Sequence, residues 1–198
     1  MDAIINSYLY SDQIPVLDFL PDRKLSKYFS RETAAAVVTA GQLLKGKVYD
    51  QRMPLYYATG ISEHEDYGLP SVVAASTDRE GIFSQEQFSL NGFSDVSPLN
   101  QFRVLLNMPI CFVSIVYRLT GDNAVLYGSA AGLLAQARCA PSNGQLLLGA
   151  GKTYQDGMVE TGFAIMNRTE LDNYIKDIAV EDEPIELIRC WSFKKRDP

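Results

Sequence analysis

The chain has 198 residues, of which 46% are hydrophobic and 21% are charged. This length suits one domain with a substantial core, and this composition excludes a disordered chain. The net charge of −6 argues against nucleic-acid binding, because an acidic surface repels phosphate groups. The sequence therefore predicts a single folded domain over residues 1–198.

The cysteines and the N-terminus indicate the cellular compartment. Cys111, Cys139 and Cys190 are widely and irregularly spaced, which argues against a disulfide framework and a zinc site. Each has apolar neighbours, so we expect buried, unreactive thiols. The sequence has neither a signal peptide nor an apolar stretch long enough to cross a bilayer. These features predict a cytoplasmic protein.

The first third of the chain predicts a strand, a helix and a second strand. The strand covers Ile4–Tyr10. Apolar residues at helical spacing then predict a helix from Leu25 to Leu44, which Gly46 ends. Arg52–Gly60 is the second predicted strand.

An acidic segment, Glu63–Asp66, follows and surrounds His64, the one histidine of the chain. Carboxylates beside a histidine are metal ligands in some proteins. Without a second spaced histidine, however, a hydrated loop is the favoured interpretation. Residues 70–98 contain several glycines and prolines and predict one or two brief helices.

The second half of the chain alternates helices with apolar strands, which predicts an α/β fold with helices on both faces of a largely parallel sheet. We expect the strand Ala124–Tyr127 to be buried on both of its faces. The other predicted elements are helices over Ile110–Leu119 and Ala130–Ala140, and strands over Gln145–Ala150, Gly157–Met166 and Ile185–Phe193.

The turn Gly128–Gly132 consists of small residues between a strand and a helix, a layout that can expose a nucleophile. Ser129 is the candidate nucleophile and His64 is the candidate base. A second hypothesis is that the turn amides of Gly128, Ser129, Ala130, Ala131 and Gly132 bind an anion or another small molecule. The favoured interpretation is that small residues fit a tight turn.

Two further candidates carry less weight. Cys111 is a potential displaced nucleophile, but its apolar neighbours favour a role in the core. The segment Gly149–Thr153 is similar to the end of a phosphate-binding loop, but the preceding glycine of that motif is missing. The sequence indicates no cofactor and no metal.

Several short motifs together resemble the N-terminal half of β-ketoacyl synthases, which have the thiolase fold. In order, the motifs are Ser97-Pro98-Leu99, Asn107-Met-Pro, Ser114-Ile115, Gly121-Asp-Asn123, Gly149-Ala-Gly151, and Asp156-Gly157 before the strand Phe163–Met166. The resemblance implies a three-layer, thiolase-like half with a mostly parallel mixed sheet. Residues 167–198 would then be a C-terminal extension.

The family's spacing places the catalytic cysteine of a synthase at Ala130, and a methyl group cannot form a thiolate. The resemblance covers only the N-terminal half of the family, so we do not expect the further catalytic groups that the second half supplies. The resemblance thus implies a non-catalytic component of a fatty-acid- or polyketide-type pathway that helps to bind an acyl chain or to assemble a complex. Its expected partners are a second copy joined through Ala124–Tyr127, a ketoacyl synthase, and an acyl carrier protein. The alternatives are an acyl transferase or hydrolase that uses Ser129 and a small-molecule-binding module.

Overall fold

A five-stranded sheet forms the centre of the molecule, with its strands side by side in the order Ile4–Tyr10, Val159–Asn167, Gln145–Thr153, Leu55–Thr59 and Asn123–Tyr127. The structure is a computed structural model and describes residues 3–60, 69–95, 98–103, 105–141, 144–175 and 183–194. The predicted loop around His64 lies outside these residues. The strands are β1 (Ile4–Tyr10), β2 (Leu55–Thr59), β3 (Asn123–Tyr127), β4 (Gln145–Thr153) and β5 (Val159–Asn167).

Four of the five strands run in the same direction. β2 is parallel to both β3 and β4, whereas β5 is antiparallel to both of its neighbours, β4 and β1. The predicted mostly parallel, mixed sheet is therefore confirmed. The segment Gly149–Thr153 forms the second half of β4 rather than a phosphate-binding loop.

Helices cover both faces of this sheet, as predicted. Consecutive strand residues point to opposite faces, so Tyr57 lies in the core beneath the helices Arg31–Leu44 and Met108–Tyr117, and Tyr56 in the core beneath Ala130–Cys139 and Pro184–Lys194. The region after β2 contains the expected short helices. The helices are α1 (Arg31–Leu44), α2 (Leu69–Ala75), α3 (Gln85–Leu90), α4 (Pro98–Arg103), α5 (Met108–Tyr117), α6 (Ala130–Cys139), α7 (Arg168–Ile175) and α8 (Pro184–Lys194).

Helix α1 begins six residues later than Leu25, where the sequence predicted its start. Residues Arg23–Tyr28 instead form a short 3-10 helix that Asp22 caps. Phe29 is extended, and the Ser30 hydroxyl accepts a hydrogen bond from the Thr33 amide, 3.1 Å away. A serine in this position satisfies an unpaired amide and so fixes the true start of α1.

The prediction that Ala124–Tyr127 is buried on both faces is wrong. Among the described residues, β3 pairs only with β2, so it is an edge strand. Tyr127 is 59% exposed, and the three central residues of β3 are half-buried. A short apolar run looks the same at an edge as in the middle of a sheet, so the sequence could not distinguish the two positions.

The prediction of a strand over Ile185–Phe193 is also wrong, because this segment lies within α8. Pro184 is the first helical residue, a favoured position since proline has no amide hydrogen to leave unpaired. Ile185, Ile188 and Trp191 follow at a spacing of three residues and are completely buried. Their helical spacing explains why α8 covers the sheet with one face.

The three cysteines are exposed, which corrects the expectation of buried thiols. Cys111 lies in α5, Cys139 ends α6 and Cys190 lies in α8. Apolar neighbours in sequence do not place a residue in the core, since a helix turns successive residues towards different sides. Within the described ranges, no helix is both long and apolar enough to span a bilayer.

Candidate functional site

The carboxyl ends of three parallel strands meet beside the turn after β3. Thr59, the last residue of β2, is in register with Gly151 of β4 and with Tyr127 of β3. The Gly128 amide donates a hydrogen bond to the Thr59 carbonyl oxygen over 2.8 Å, which attaches the turn to the sheet. In open α/β sheets this edge is where ligands usually bind.

The small residues of the turn have specific structural roles. Gly128 has a φ angle of +71°, a left-handed conformation that glycine adopts without strain. Ser129 is extended, and its hydroxyl oxygen accepts a hydrogen bond from the Gly132 amide at 3.1 Å. Ser129 is therefore the N-cap of α6. The structure gives this side chain a definite task other than nucleophilic attack.

Ala130, the first residue of α6, is completely buried. Its methyl group belongs to the apolar cluster beneath α6, together with Ala58 and Leu133. Of the predicted site residues, the structure brings Gly128 to Gly132 together in one turn. His64 lies outside the described residues, so a Ser129–His64 pair stays a prediction.

Removing the Ser129 cap tests its structural role. We expect Ser129→Ala to lower the free energy of unfolding by about 1 kcal/mol, because an amide in the first turn of α6 loses its partner. Ser129→Asp keeps an acceptor in this position and should retain most of the stability. Chemical denaturation measures both changes. Equal stability of the wild type and Ser129→Ala would show that the cap contributes nothing.

A buried carboxyl group, which the sequence analysis did not identify, lies next to the same strand ends. Glu32, in the first turn of α1, is only 7% exposed. The Tyr57 hydroxyl donates to its Oε1 at 2.8 Å, and the Thr59 hydroxyl donates to its Oε2 at 3.2 Å. The Glu32 side chain thus links the start of α1 to Thr59, whose carbonyl oxygen accepts the hydrogen bond from the Gly128 amide.

Burial dominates the electrostatics of this group. Loss of water raises the pKa of Glu32, although the hydrogen bonds from Tyr57 and Thr59 act in the opposite direction. Burial, together with the neighbouring Glu32 carboxyl, also raises the pKa of Tyr57. A glutamate near a helix start usually indicates an exposed residue that interacts with the helix dipole. The signal that could have revealed its burial is the uniformly apolar or small sequence that follows it in α1.

The raised pKa predicts how stability changes with pH. An unfolded chain releases the Glu32 proton near pH 4.5, whereas the folded protein retains it to higher pH. Between the two pKa values the folded state binds more protons, so its stability falls as the pH rises. We expect Glu32→Gln to remove this part of the pH dependence and to gain stability relative to the wild type between pH 4 and pH 7.

Thermal denaturation at several pH values measures the effect, and Glu80→Gln is the matched control because Glu80 is exposed. The amide of glutamine also removes one acceptor oxygen, a cost that is the same at each pH. Parallel curves for the wild type and Glu32→Gln would contradict the prediction.

Comparison with known proteins gives matches at the level of structure. No protein-family model matches the chain, and no curated protein matches its sequence. A chain of the ishigamide ketosynthase/chain length factor matches with a TM-score of 0.53 at 14% identity, over 78% of this chain and 48% of that one.

A second solved structure gives a similar result. It is AntDE:AntF, a type II polyketide synthase acyl-carrier protein in complex with its ketosynthase bound to the hexaketide. One of its chains matches with a TM-score of 0.53 at 12% identity, over 77% of this chain and 51% of that one. This chain therefore has a ketosynthase-like, thiolase-type α/β fold and spans about half the length of the solved chains that it matches.

Proposed function

We propose that this protein is a non-catalytic, ketosynthase-like component of a polyketide- or fatty-acid-type biosynthetic pathway in the cytoplasm. In this proposal it contributes to acyl-chain binding or to the assembly of a complex. Residues 1–198 act as one domain, with 167–198 as an extension of the ketosynthase-like half. The fold that it shares with the ketosynthase chains supports this assignment.

The local structure of the turn supports a role without covalent catalysis. Ala130 occupies the position that the family's spacing gives to the cysteine of a synthase, and its methyl group is buried in the core. Ser129 already accepts a hydrogen bond as the cap of α6. Ala130 has no thiol to form a thiolate, and within the described residues the Ser129 side chain bonds to a backbone amide rather than to a base that would activate it.

The observation that carries the proposal is that β3, the strand that leads into this turn, lies at the edge of the sheet formed by the described residues. The backbone of β3 faces β2 at both ends: the Asp122 carbonyl oxygen accepts from the Leu55 amide, and the Gly128 amide donates to the Thr59 carbonyl oxygen. Because the backbone groups of successive strand residues point alternately to the two sides, the Tyr127 amide points away from β2. Such an edge is a template for pairing with another strand. We propose that a second copy pairs here and that a ketoacyl synthase or an acyl carrier protein is a further partner.

Proline at position 127 tests this pairing. Tyr127→Pro removes an outward amide without breaking the β2–β3 ladder, because edge strands tolerate proline on their open side. We expect the wild type to have twice the chain mass of 22.0 kDa in solution, and Tyr127→Pro to be a monomer. Tyr127→Ala, which keeps the amide, is the matched control and should stay a dimer. Light scattering coupled to size exclusion measures the masses.

A monomeric wild type would contradict the homodimer. The functional part of the proposal needs a separate test with acyl-pantetheine thioesters. We expect these thioesters to raise the melting temperature of the protein and not to be hydrolysed by it. Turnover of a thioester, or labelling of Ser129 by a serine-directed phosphonate, would instead favour an acyl transferase or hydrolase. Absence of any shift would count against acyl binding.

A further inference from the structure

Two neighbouring cavities lie at the amino end of the parallel strands, opposite the turn after β3. The first has a volume of about 330 Å³ and the second about 570 Å³, and the Tyr49 side chain lines both. Gln145, the first residue of β4, marks their end of the sheet. These volumes fall in the range of small-molecule sites.

The first cavity has an almost entirely apolar wall. Ile4 from the start of β1 and Ile165 from near the end of β5 contribute the sheet side. Val48 and Tyr49 contribute the other side, and Val48 is 97% exposed. An apolar ligand in the cavity would remove part of the exposed Val48 surface from water, which favours binding.

Cations flank these apolar surfaces. Lys47 lines the first cavity and Lys45 lines the second, where Asp18 is the one acidic lining residue. The ion pairs between described residues involve neither lysine. A lysine whose stem lies along an apolar wall places its ammonium group at the water-exposed rim. Lys45 and Lys47 therefore give the rim of the two cavities a local positive charge, although the chain as a whole has a net charge of −6.

The shape of the second cavity depends on Gly41. A Cβ atom at this position would collide with the Tyr117 hydroxyl group and lie 2.5 Å from Phe19 Cδ1. The Tyr117 hydroxyl donates to the Val37 carbonyl oxygen at 2.7 Å, so the ring is held in place. The absence of a side chain at position 41 lets Tyr117 and Phe19 pack against α1 and form the cavity wall.

From this arrangement we infer that the first cavity binds a small amphipathic anion, an apolar chain with a carboxylate head. The chain lies against Ile4, Ile165 and Val48, and the carboxylate faces the Lys47 ammonium group. This site goes beyond the function proposed above, because it involves neither the turn nor the open edge of β3. It gives the protein a second, separate place to hold a small molecule.

Titration calorimetry with octanoate and octylamine tests the inference, since the two probes share a chain and differ in charge. We expect octanoate to bind saturably and octylamine to bind about tenfold more weakly. Lys47→Glu should weaken octanoate binding by about tenfold, and Lys24→Glu, the same change at an exposed residue that lines neither cavity, should not. Ile4→Trp should abolish binding by filling the cavity.

Three results would each overturn the inference. They are no binding of octanoate, equal binding of the two probes, and octanoate binding that neither Lys47→Glu nor Ile4→Trp weakens. Melting curves of the two variants confirm that they are folded, since both residues are only partly buried. Tyr127→Pro should bind octanoate like the wild type. Failure of the dimer proposal is thereby distinguishable from failure of this one.

Discussion

Replacing Trp191 with alanine is expected to lower the free energy of unfolding by about 3–5 kcal/mol, a large part of the roughly 5–15 kcal/mol that stabilises a typical domain. Trp191 is the largest completely buried side chain and lies in the core between α8 and the sheet. Its ring centroid is 5.6 Å from that of Tyr174 in α7. Alanine would leave a cavity at the junction of these elements.

Phe193→Ala is the matched control, since Phe193 lies in the same helix and is 57% exposed. We expect this change to alter stability by less than about 0.5 kcal/mol. Urea denaturation followed by circular dichroism compares the two variants. If both lose the same stability, α8 is not packed against the sheet as described.

A polar network holds the same helix. Arg189 of α8 donates through Nε to Glu160 Oε1 at 2.9 Å, and Tyr154 donates to Glu160 Oε2 at 2.8 Å. Burial of Glu160 acts to raise its pKa, but these hydrogen bonds outweigh burial and lower the pKa below its usual value. The contribution of this ionised group to stability is therefore lost as the pH falls through the folded-state pKa.

A single added methyl group at Gly149 is expected to cost about 3 kcal/mol, because the centre of the sheet has no room for it. A Cβ atom there would lie 2.7 Å from Tyr57 Cδ2 and would also collide with the Phe163 ring. Both rings are completely buried and already in contact, with centroids 5.7 Å apart. Neither ring can move aside without displacing others.

Gly132→Ala provides the contrasting control. A Cβ at this helical position would meet Leu126 at an ordinary distance of 3.4 Å, and alanine favours a helix by about 1 kcal/mol over glycine. We expect Gly149→Ala to be destabilised and Gly132→Ala to be unchanged or more stable in the same denaturation experiment. A Gly149→Ala protein as stable as the wild type would contradict the described packing of Tyr57 against Phe163.

The elements that the sequence predicted well have strong local signals. Ile4–Tyr10 is confirmed over its full length, and the predicted strand at Gln145 and the helix at Ala130 begin where expected. The failures have different causes. The position of β3 at an edge depends on which strands it meets, and an apolar run does not encode this. The strand prediction for Ile185–Phe193, in contrast, overlooked a helical signal in the sequence, the three-residue spacing of Ile185, Ile188 and Trp191.

The candidate site divides in the same way. The sharp turn at Gly128 could be predicted because small residues between a strand and a helix require it. The small and apolar residues that follow Glu32 in α1 are a signal of its burial, but its hydroxyl partners on β2 could not be predicted, since they are distant in the sequence. Contacts of this kind become visible only once α1 is placed on the sheet.

The pairing of β1 with β5 has a consequence for biosynthesis of the chain. Ile4 is in register with Ile165, and Tyr10 with Val159, so the first strand pairs with the last. Of the strands that the structure describes, only β5 pairs with β1, so on the ribosome β1 lacks this partner until residues 159–167 have emerged. Contacts of such long range form slowly, and apolar surface that waits for its partner is prone to aggregate. A nascent chain halted before Val159 therefore carries an unpaired strand and is a natural substrate for chaperones.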